Sequence, residues 1–195
     1  MDKSIKRIFD VFVSVIGIII LSPIWIIIAI AVKAESKGPI FYTHVRVGKN
    51  GKKFNCFKFR SMFEGVDPDS LVGSPGDFRL TKLGHIIRKT SLDEIPQLIN
   101  VLLGDMSIVG PRPALPSQVE KFSKKELDKL LVKPGLTGWT QVNGRNAISY
   151  EKRMELDCWY AKNWNLFLDF KILLLTPFIV FRQKGIYDDK ERRYL

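Results

Sequence analysis

The sequence predicts an α+β chain of two unlike parts. Residues 1–36 read as a membrane helix broken near its middle, and residues 37–195 as a small mixed α/β domain with interfacial amphipathic helices. Three observations carry this reading. Val11 to Val32 contains no charged residue. Two strand-like segments flank an Asn-Gly turn at Asn50 and Gly51, a strong hairpin signal. Beyond residue 80, short helical patterns alternate with Gly/Pro loops.

The apolar run is roughly 22 residues long, enough to reach across a bilayer. It is too long for the core of a signal peptide, and no convincing cleavage site follows it. Ser22-Pro23 falls at its midpoint, where proline removes a backbone donor and kinks a helix. Lys3, Lys6 and Arg7 precede the run, and Lys33, Lys37, Arg46, Lys49, Lys52 and Lys53 follow it. Both flanks therefore belong on the cytoplasmic side. A helix that breaks at Ser22-Pro23 and leaves by the face it entered satisfies both. A straight span with a tolerated proline is the alternative.

Pro39 to Arg46 and Lys53 to Met62 read as the two strands of the hairpin. Glu64 to Asp77, rich in Gly, Pro, Asp and Ser, reads as a loop. Leu80 to Lys89 and Gln97 to Leu103 suit short helices, the second stopped by Gly104. Ser117 to Leu131 has the pattern of a charged amphipathic helix, and Ser149 to Ala161 returns to helix. Trp164 to Phe181 is apolar but interrupted by Asp169, Lys171 and Pro177, with Trp159, Tyr160 and Trp164 around its start. It suits a helix lying in the membrane surface, with an ordinary core helix as the alternative.

A net charge of +11, from 31 basic and 20 acidic residues, calls for an anionic partner: nucleic acid, anionic lipid or a phosphorylated metabolite. The two cysteines, Cys56 and Cys158, lack metal-ligand spacing and suit buried thiols in a reducing compartment. His44 and His85 lack the paired spacing of a zinc site.

Within this basic chain, Asp93 and Glu94 stand side by side after Arg79, Lys82, Arg88 and Lys89, and before Arg112 and Lys133. Acids ringed by cations suit phosphate chemistry: cations hold the anionic substrate, one carboxylate attacks phosphorus or holds Mg²⁺, and the other assists. Lys58 offers a compact charge, and Arg88, Arg112 and Arg145 offer bidentate forks. The pair also has a plainer reading. Ser91-x-x-Glu94 is a capping box, in which Glu94 would close a helix begun by Ser91.

Beyond these patterns, the chain resembles the small bacterial sugar transferases, the monotopic polyprenyl-phosphate phosphoglycosyl transferases. The resemblance runs from Lys6-Arg7-Ile8-Phe9-Asp10 to about Lys184. Its landmarks are Ser22-Pro23, Lys58-Phe59-Arg60-Ser61-Met62, Ser91 to Gln97, Gly104 to Pro113, Lys133 to Trp139, Asn143-Gly144-Arg145 and Glu155-Leu156-Asp157. It implies transfer of a sugar phosphate from a UDP-sugar to polyprenyl phosphate, usually undecaprenyl phosphate, with release of UMP. It implies Asp93 as the nucleophile that becomes phosphoglycosylated and Glu94 as the residue associated with a required Mg²⁺. Lys58, Arg88, Arg112, Arg145 and Asp157 are the substrate-binding candidates. The re-entrant helix broken at Ser-Pro is a feature of the family. So is a place on the cytoplasmic face of the bacterial inner membrane, among its lipids, with no role for nucleic acid; a homodimer is compatible with the chain.

Three departures from the family pattern bear on the identity of the sugar. Residues 65–77 lack an Asp-Glu-Arg-Asp sequence, Thr140 stands where alanine is usual, and the chain ends soon after Lys184. Readings from other classes are a membrane-anchored nucleic-acid-binding protein, for which Lys53 to Arg60 interleaves basic and aromatic residues, and a lipid-binding scaffold without catalysis. Neither needs the acid pair.

Overall fold

The computed structural model describes residues 2–66, 78–144 and 147–182. Arg145, most of the expected 64–77 loop and the C-terminal tail lie outside the described residues. The structure mixes helices and strands, with one long apolar helix at the N-terminus, α1 (Asp2–Glu35).

The helix continues through Ser22 and Pro23, where the sequence predicted a break. Proline at 23 leaves the carbonyl of Ile19 without its usual N–H partner. The Ser22 hydroxyl donates to that same carbonyl at 2.8 Å. Serine thus supplies the donor that proline removes, a known way to tolerate proline in an apolar surrounding. One stripe of α1 faces the rest of the protein along its whole length. Arg7, Asp10, Ser14, Gly17, Leu21, Trp25, Ile28, Val32 and Glu35 recur every three or four residues, the period of a helix face. The opposite side, with Ile8, Phe12, Ile19, Ile20, Ile26, Ile27 and Ile30, is exposed and apolar.

The hairpin forms as expected. β1 (Phe41–Val47) pairs antiparallel with β2 (Lys53–Phe59), from Phe41 opposite Phe59 to Val47 opposite Lys53. Asn50 and Gly51 have positive φ of 56° and 77°, the turn conformation that Asn-Gly favours. Alternation along β2 sends its side chains to two cores. Phe54 and Cys56 join Leu98, Val101, Met106, Ile108, Tyr160 and Ile172. Phe59 points the other way, to Ile28, Val32 and Ile87.

The outer edge of β2 meets a side chain in place of a third strand. Asn100, fully buried, accepts from Phe57 N at 3.0 Å and donates to Asn55 O at 2.7 Å. Asn100 belongs to α3 (Gln97–Leu103), which ends at Gly104 with φ of 90°, the left-handed C-cap the sequence predicted. α2 (Lys82–Lys89) begins two residues later than expected, capped by Thr81 and by the Glu35 carboxylate, which accepts from Lys82 N at 2.7 Å.

β3 (Ser107–Val109) and β4 (Gly135–Thr137) form a short parallel pair. The charged helix expected over Ser117 to Leu131 is instead two fragments, α4 (Pro116–Val119) and a 3₁₀ segment Glu126–Leu131. Glu126 folds back onto Ser123 N at 2.7 Å, a local cap that starts a new turn rather than continuing the old one. After α5 (Trp139–Val142), α6 (Tyr150–Asn163) starts at its Ser149 cap, and α7 (Leu166–Arg182) closes the described chain. α7 buries Leu168, Asp169 and Ile172 and exposes Phe167, Phe170, Leu174 and Phe178. One of its faces is core, and the opposite face is apolar and uncovered. Cys56 is buried and Cys158 partly exposed; both are free thiols.

Candidate active site

The acid pair sits in a tight connection between α2 and α3. Ser91 is the pivot, with φ of 59°, a left-handed conformation that is unusual for serine. Leu92–Glu94 then forms a single 3₁₀ turn, and Pro96 precedes α3. The capping box does not form. Ser91 makes no side-chain cap, and both Glu94 oxygens turn to cations. A left-handed Ser91 cannot hold the extended backbone that an N-cap requires.

Lys58 reaches Glu94 from β2, its Nζ donating to Oε1 at 2.7 Å. Arg112 Nη2 donates to the same oxygen at 2.8 Å, and Nη1 lies 3.5 Å from Oε2. Arg88, at the end of α2, is held by its Nε donating to Ser61 Oγ at 2.8 Å, and its charge acts on Asp93. Four of the predicted residues around Asp93 are thus brought together from four parts of the fold.

The run from Lys58 to Met62 assembles this site residue by residue. Lys58 meets Glu94, Phe59 enters the second core, and Ser61 fixes Arg88. Arg60 donates to the carbonyls of Val32, Ser36 and Lys37 at the end of α1, satisfying groups a helix terminus leaves open. Met62 bridges to Leu80 before α2. Arg112 is placed by its neighbours: Val47 N donates to Ala114 O at 2.9 Å, tying its loop to β1. Gly110, Gly135 and Gly138 allow the backbones beneath that loop to touch; a Cβ on any of them would overlap main-chain atoms of the facing segment.

The two acids differ in charge state. Burial opposes ionisation of Glu94, but Arg112 and Lys58 outweigh it and hold the carboxyl well below the ordinary range. Asp93 is 6% exposed. Burial, with Lys58, Arg88 and Arg112 pulling down and Glu94 pushing up, raises its pKa to about 6. The site is closed at Asp93 and open at Arg112, whose side chain is 56% exposed.

A narrow cleft of about 10 Å³ behind Glu94 is lined also by His44, Arg46, Cys56 and Gln97. These were not among the predicted residues. Strand parity could have pointed to three of them, since His44 pairs with Cys56 and Arg46 with Phe54, on the face that carries Lys58. His44 is held neutral, its pKa lowered to about 3 by burial and by Arg46, Lys58 and Arg112. Asp157 stands apart from this cluster. Buried on α6, it pairs with Lys129 at 2.8 Å and accepts from the Thr140 hydroxyl. Thr140 thereby has a partner that an alanine could not engage.

Among the described residues, no group of three or more His, Cys, Asp or Glu side chains forms a metal cage. The donors present are carboxylate oxygens, and Glu94 is ionised, which suits a hard cation. An ion at Glu94 would have to share its oxygens with Lys58 and Arg112 and take its remaining ligands from substrate phosphate and water.

The sequence model for bacterial sugar transferases matches residues 1–183. A Bacillus subtilis protein described as an uncharacterized sugar transferase, EpsL, is 46% identical over 93% of this chain and 90% of its own length. The undecaprenyl-phosphate galactose phosphotransferase of Salmonella typhimurium is 43% identical over 95% of this chain but 42% of its own. The exopolysaccharide production protein ExoY of Rhizobium meliloti is 38% identical over 93% of this chain and 88% of its own. The chain thus spans nearly all of some relatives and about two-fifths of others. With its acid pair, its three converging cations and this match, the chain belongs to the bacterial sugar transferase family and is a transferase.

Proposed function

We propose that the protein transfers a sugar 1-phosphate from a UDP-sugar to a polyprenyl phosphate, through an aspartyl-phosphosugar intermediate on Asp93. One observation carries this: Asp93 lies buried beside an ionised Glu94 and inside a ring of Lys58, Arg88 and Arg112. The names of the relatives from Salmonella typhimurium and Klebsiella pneumoniae, the latter a UDP-glucose:undecaprenyl-phosphate glucose-1-phosphate transferase, support the two substrates.

An Asp93 oxygen attacks the phosphorus that bears the sugar. The bond from that phosphorus to the bridging oxygen breaks, and its electron pair leaves with UMP. A polyprenyl phosphate oxygen then attacks the same phosphorus, and the acyl-phosphate P–O bond breaks to restore the carboxylate. With a pKa near 6, Asp93 is mostly ionised at neutral pH and needs no base. Lys58, Arg88 and Arg112 hold the phosphate oxygens and oppose the charge that gathers in the transition state. Glu94 orders Lys58 and Arg112. Mg²⁺, held by Glu94 with the substrate diphosphate, would neutralise charge on the leaving UMP. Arg145 and Asp157 enter as binding candidates on the strength of the resemblance.

We place residues 37–195 on the cytoplasmic face of the inner membrane, with α1 embedded but not crossing. The α1 stripe from Arg7 to Glu35 supports this, because a helix fastened to one domain at both ends offers the bilayer only its outer face. The exposed apolar face of α7 supports an interfacial position. In a chain with Cys56 and Cys158 replaced, a cysteine at Ser4 should stay protected from reagents outside intact cells. External labelling there would show a true span.

The chemistry is tested by intact-protein mass spectrometry with UDP-sugar and no lipid acceptor. The expected result is a phosphosugar adduct on Asp93 in the wild type and none, with no turnover, in Asp93→Asn. An adduct mapped to another residue overturns the assignment.

A further inference from the structure

At the opposite end of β2 from Lys58, the hairpin turn, the end of α3 and the approach to β4 enclose a cavity of about 250 Å³. Lys53 and Lys58 are roughly 17 Å apart at the usual strand rise, so the cavity is separate from the acid pair. Its walls carry Lys49, Lys52 and Lys133 against one carboxylate, Asp105. Arg7 adjoins it from α1. Arg7 Nη2 and Lys133 Nζ each come within 3.5 Å of the point a Cβ on Gly104 would occupy, so they lie at most twice that apart.

Arg7 is held in place, Lys52 stands on the open turn, and the cluster is only partly neutralised. Arg7 is anchored by donating to the carbonyls of Val101 and Leu102, which are uncharged. The nearby Asp10 carboxylate accepts from Ser107 Oγ and Ile108 N, both at 3.0 Å. Lys52 reaches Asp105 only at 3.7 Å. Lys133 Nζ has no hydrogen-bond or ion-pair partner among the described residues. Burial lowers the Lys133 pKa, and the like charges of Arg7 and Lys49 lower it further, against Asp10 and Asp105. An anion entering the cavity reverses that balance. Phe54 supplies an apolar wall, and Leu103, 65% exposed, and Ile8, 70% exposed, are chain neighbours of Gly104 and Arg7. Cations beside exposed apolar side chains are the chemistry that receives a phosphate at a membrane surface.

We propose that this cavity is a second phosphate-binding site, taking the phosphate of a membrane lipid headgroup or of a soluble phosphate ester. Lys133 forms its inner wall with Arg7 beside it, and Lys49 and Lys52 form its rim. The site does not depend on the transferase reading, and its test involves no turnover.

The test is lysine acetylation followed by mass spectrometry, on the full chain in phosphatidylcholine nanodiscs. Two additions are compared at matched ionic strength: phosphatidylglycerol in the disc, and inorganic phosphate in solution. Occupancy should slow acetylation of Lys133 by about tenfold near saturation, because only the free fraction reacts. Lys121 and Lys124, on an exposed segment elsewhere, should not change. Slowing with phosphatidylglycerol alone identifies a headgroup; slowing with phosphate alone identifies a soluble ester. The variant Lys49→Gln/Lys52→Gln, altered only at exposed or half-buried turn positions, should weaken the protection while its circular dichroism stays unchanged. No slowing with either addition, equal slowing at Lys121, or full protection in the folded variant overturns the proposal.

Discussion

Lys58 and Arg112 donate to the same oxygen of Glu94, at 2.7 and 2.8 Å, one from a strand and the other from a loop. Glu94 is thereby committed to the ionised state, and its charge raises the pKa of Asp93 next to it. Asp93 must be ionised to attack, so kcat/KM should fall about tenfold per pH unit below pH 6. Replacing either neighbour should move that acid limb in a defined direction. Glu94→Gln removes an anion that raises the Asp93 pKa, and the limb should shift to lower pH. Lys58→Met removes a cation that lowers it, and the limb should shift to higher pH. Both variants should also lose activity, so the position of the limb is the informative quantity. Shifts of the same sign in both would refute the electrostatic account.

Metal removal gives a separate check. Exhaustive EDTA treatment should abolish transfer, and Mg²⁺ should restore it, since the carboxylate donors suit a hard cation. Full activity in the treated protein would exclude Mg²⁺ from the reaction.

Asn100 predicts a stability effect remote from any substrate. In Asn100→Ala, Phe57 N and Asn55 O both lose their partner at the edge of β2. Two partly buried backbone groups left unmatched should cost about 1–3 kcal/mol, read from denaturant unfolding in detergent. Asn100→Asp keeps the acceptor for Phe57 N but places an acid against Asn55 O. It should not rescue the loss.

Ser22 and Pro23 should be energetically coupled. Ser22→Ala leaves the Ile19 carbonyl without a donor in an apolar surrounding, at a cost of about 1–2 kcal/mol. Pro23→Ala restores a backbone N–H that can reach the same carbonyl. In the double variant the cost of losing the serine should largely vanish. Thermal unfolding of the four proteins completes the cycle, and additive effects would show that the hydroxyl does not stand in for the missing N–H.

Local patterns made several elements legible. The Asn-Gly turn fixed the hairpin, Gly104 fixed the end of α3, and Ser149 marked the start of α6. The acid pair and three of its cations could be read from residue type and the family resemblance. What escaped the sequence depends on long-range contact. Arg60 looks like one more surface cation until the end of α1 comes to lie against it. His44 carries no motif, and only its pairing with Cys56 places it beside the site. The Ser91 pattern matched a cap because spacing alone does not reveal a left-handed backbone. Between Ser117 and Leu131, apolar spacing suggested one helix, but a local cap at Ser123 divides it. The break expected at Ser22-Pro23 rested on the proline, the basic flanks and the family resemblance, and none of these accounts for the neighbouring hydroxyl that compensates for the proline.

The fastening of α1 to the rest of the chain has a consequence for biosynthesis. α1 is made before the domain that fastens it, and its ion pair to Asp169 joins residues 163 positions apart. At ordinary elongation rates, that partner follows on the order of ten to thirty seconds later. During that interval Lys6 lacks its carboxylate partner, and Arg7 and Asp10 gain theirs only once residues 101–108 have been made. On the membrane-embedded reading of α1, that charged end waits among the headgroups until the domain folds against it. On that reading, assembly is a docking event between a lodged helix and a newly made domain, and it is complete only when α7 has been synthesised.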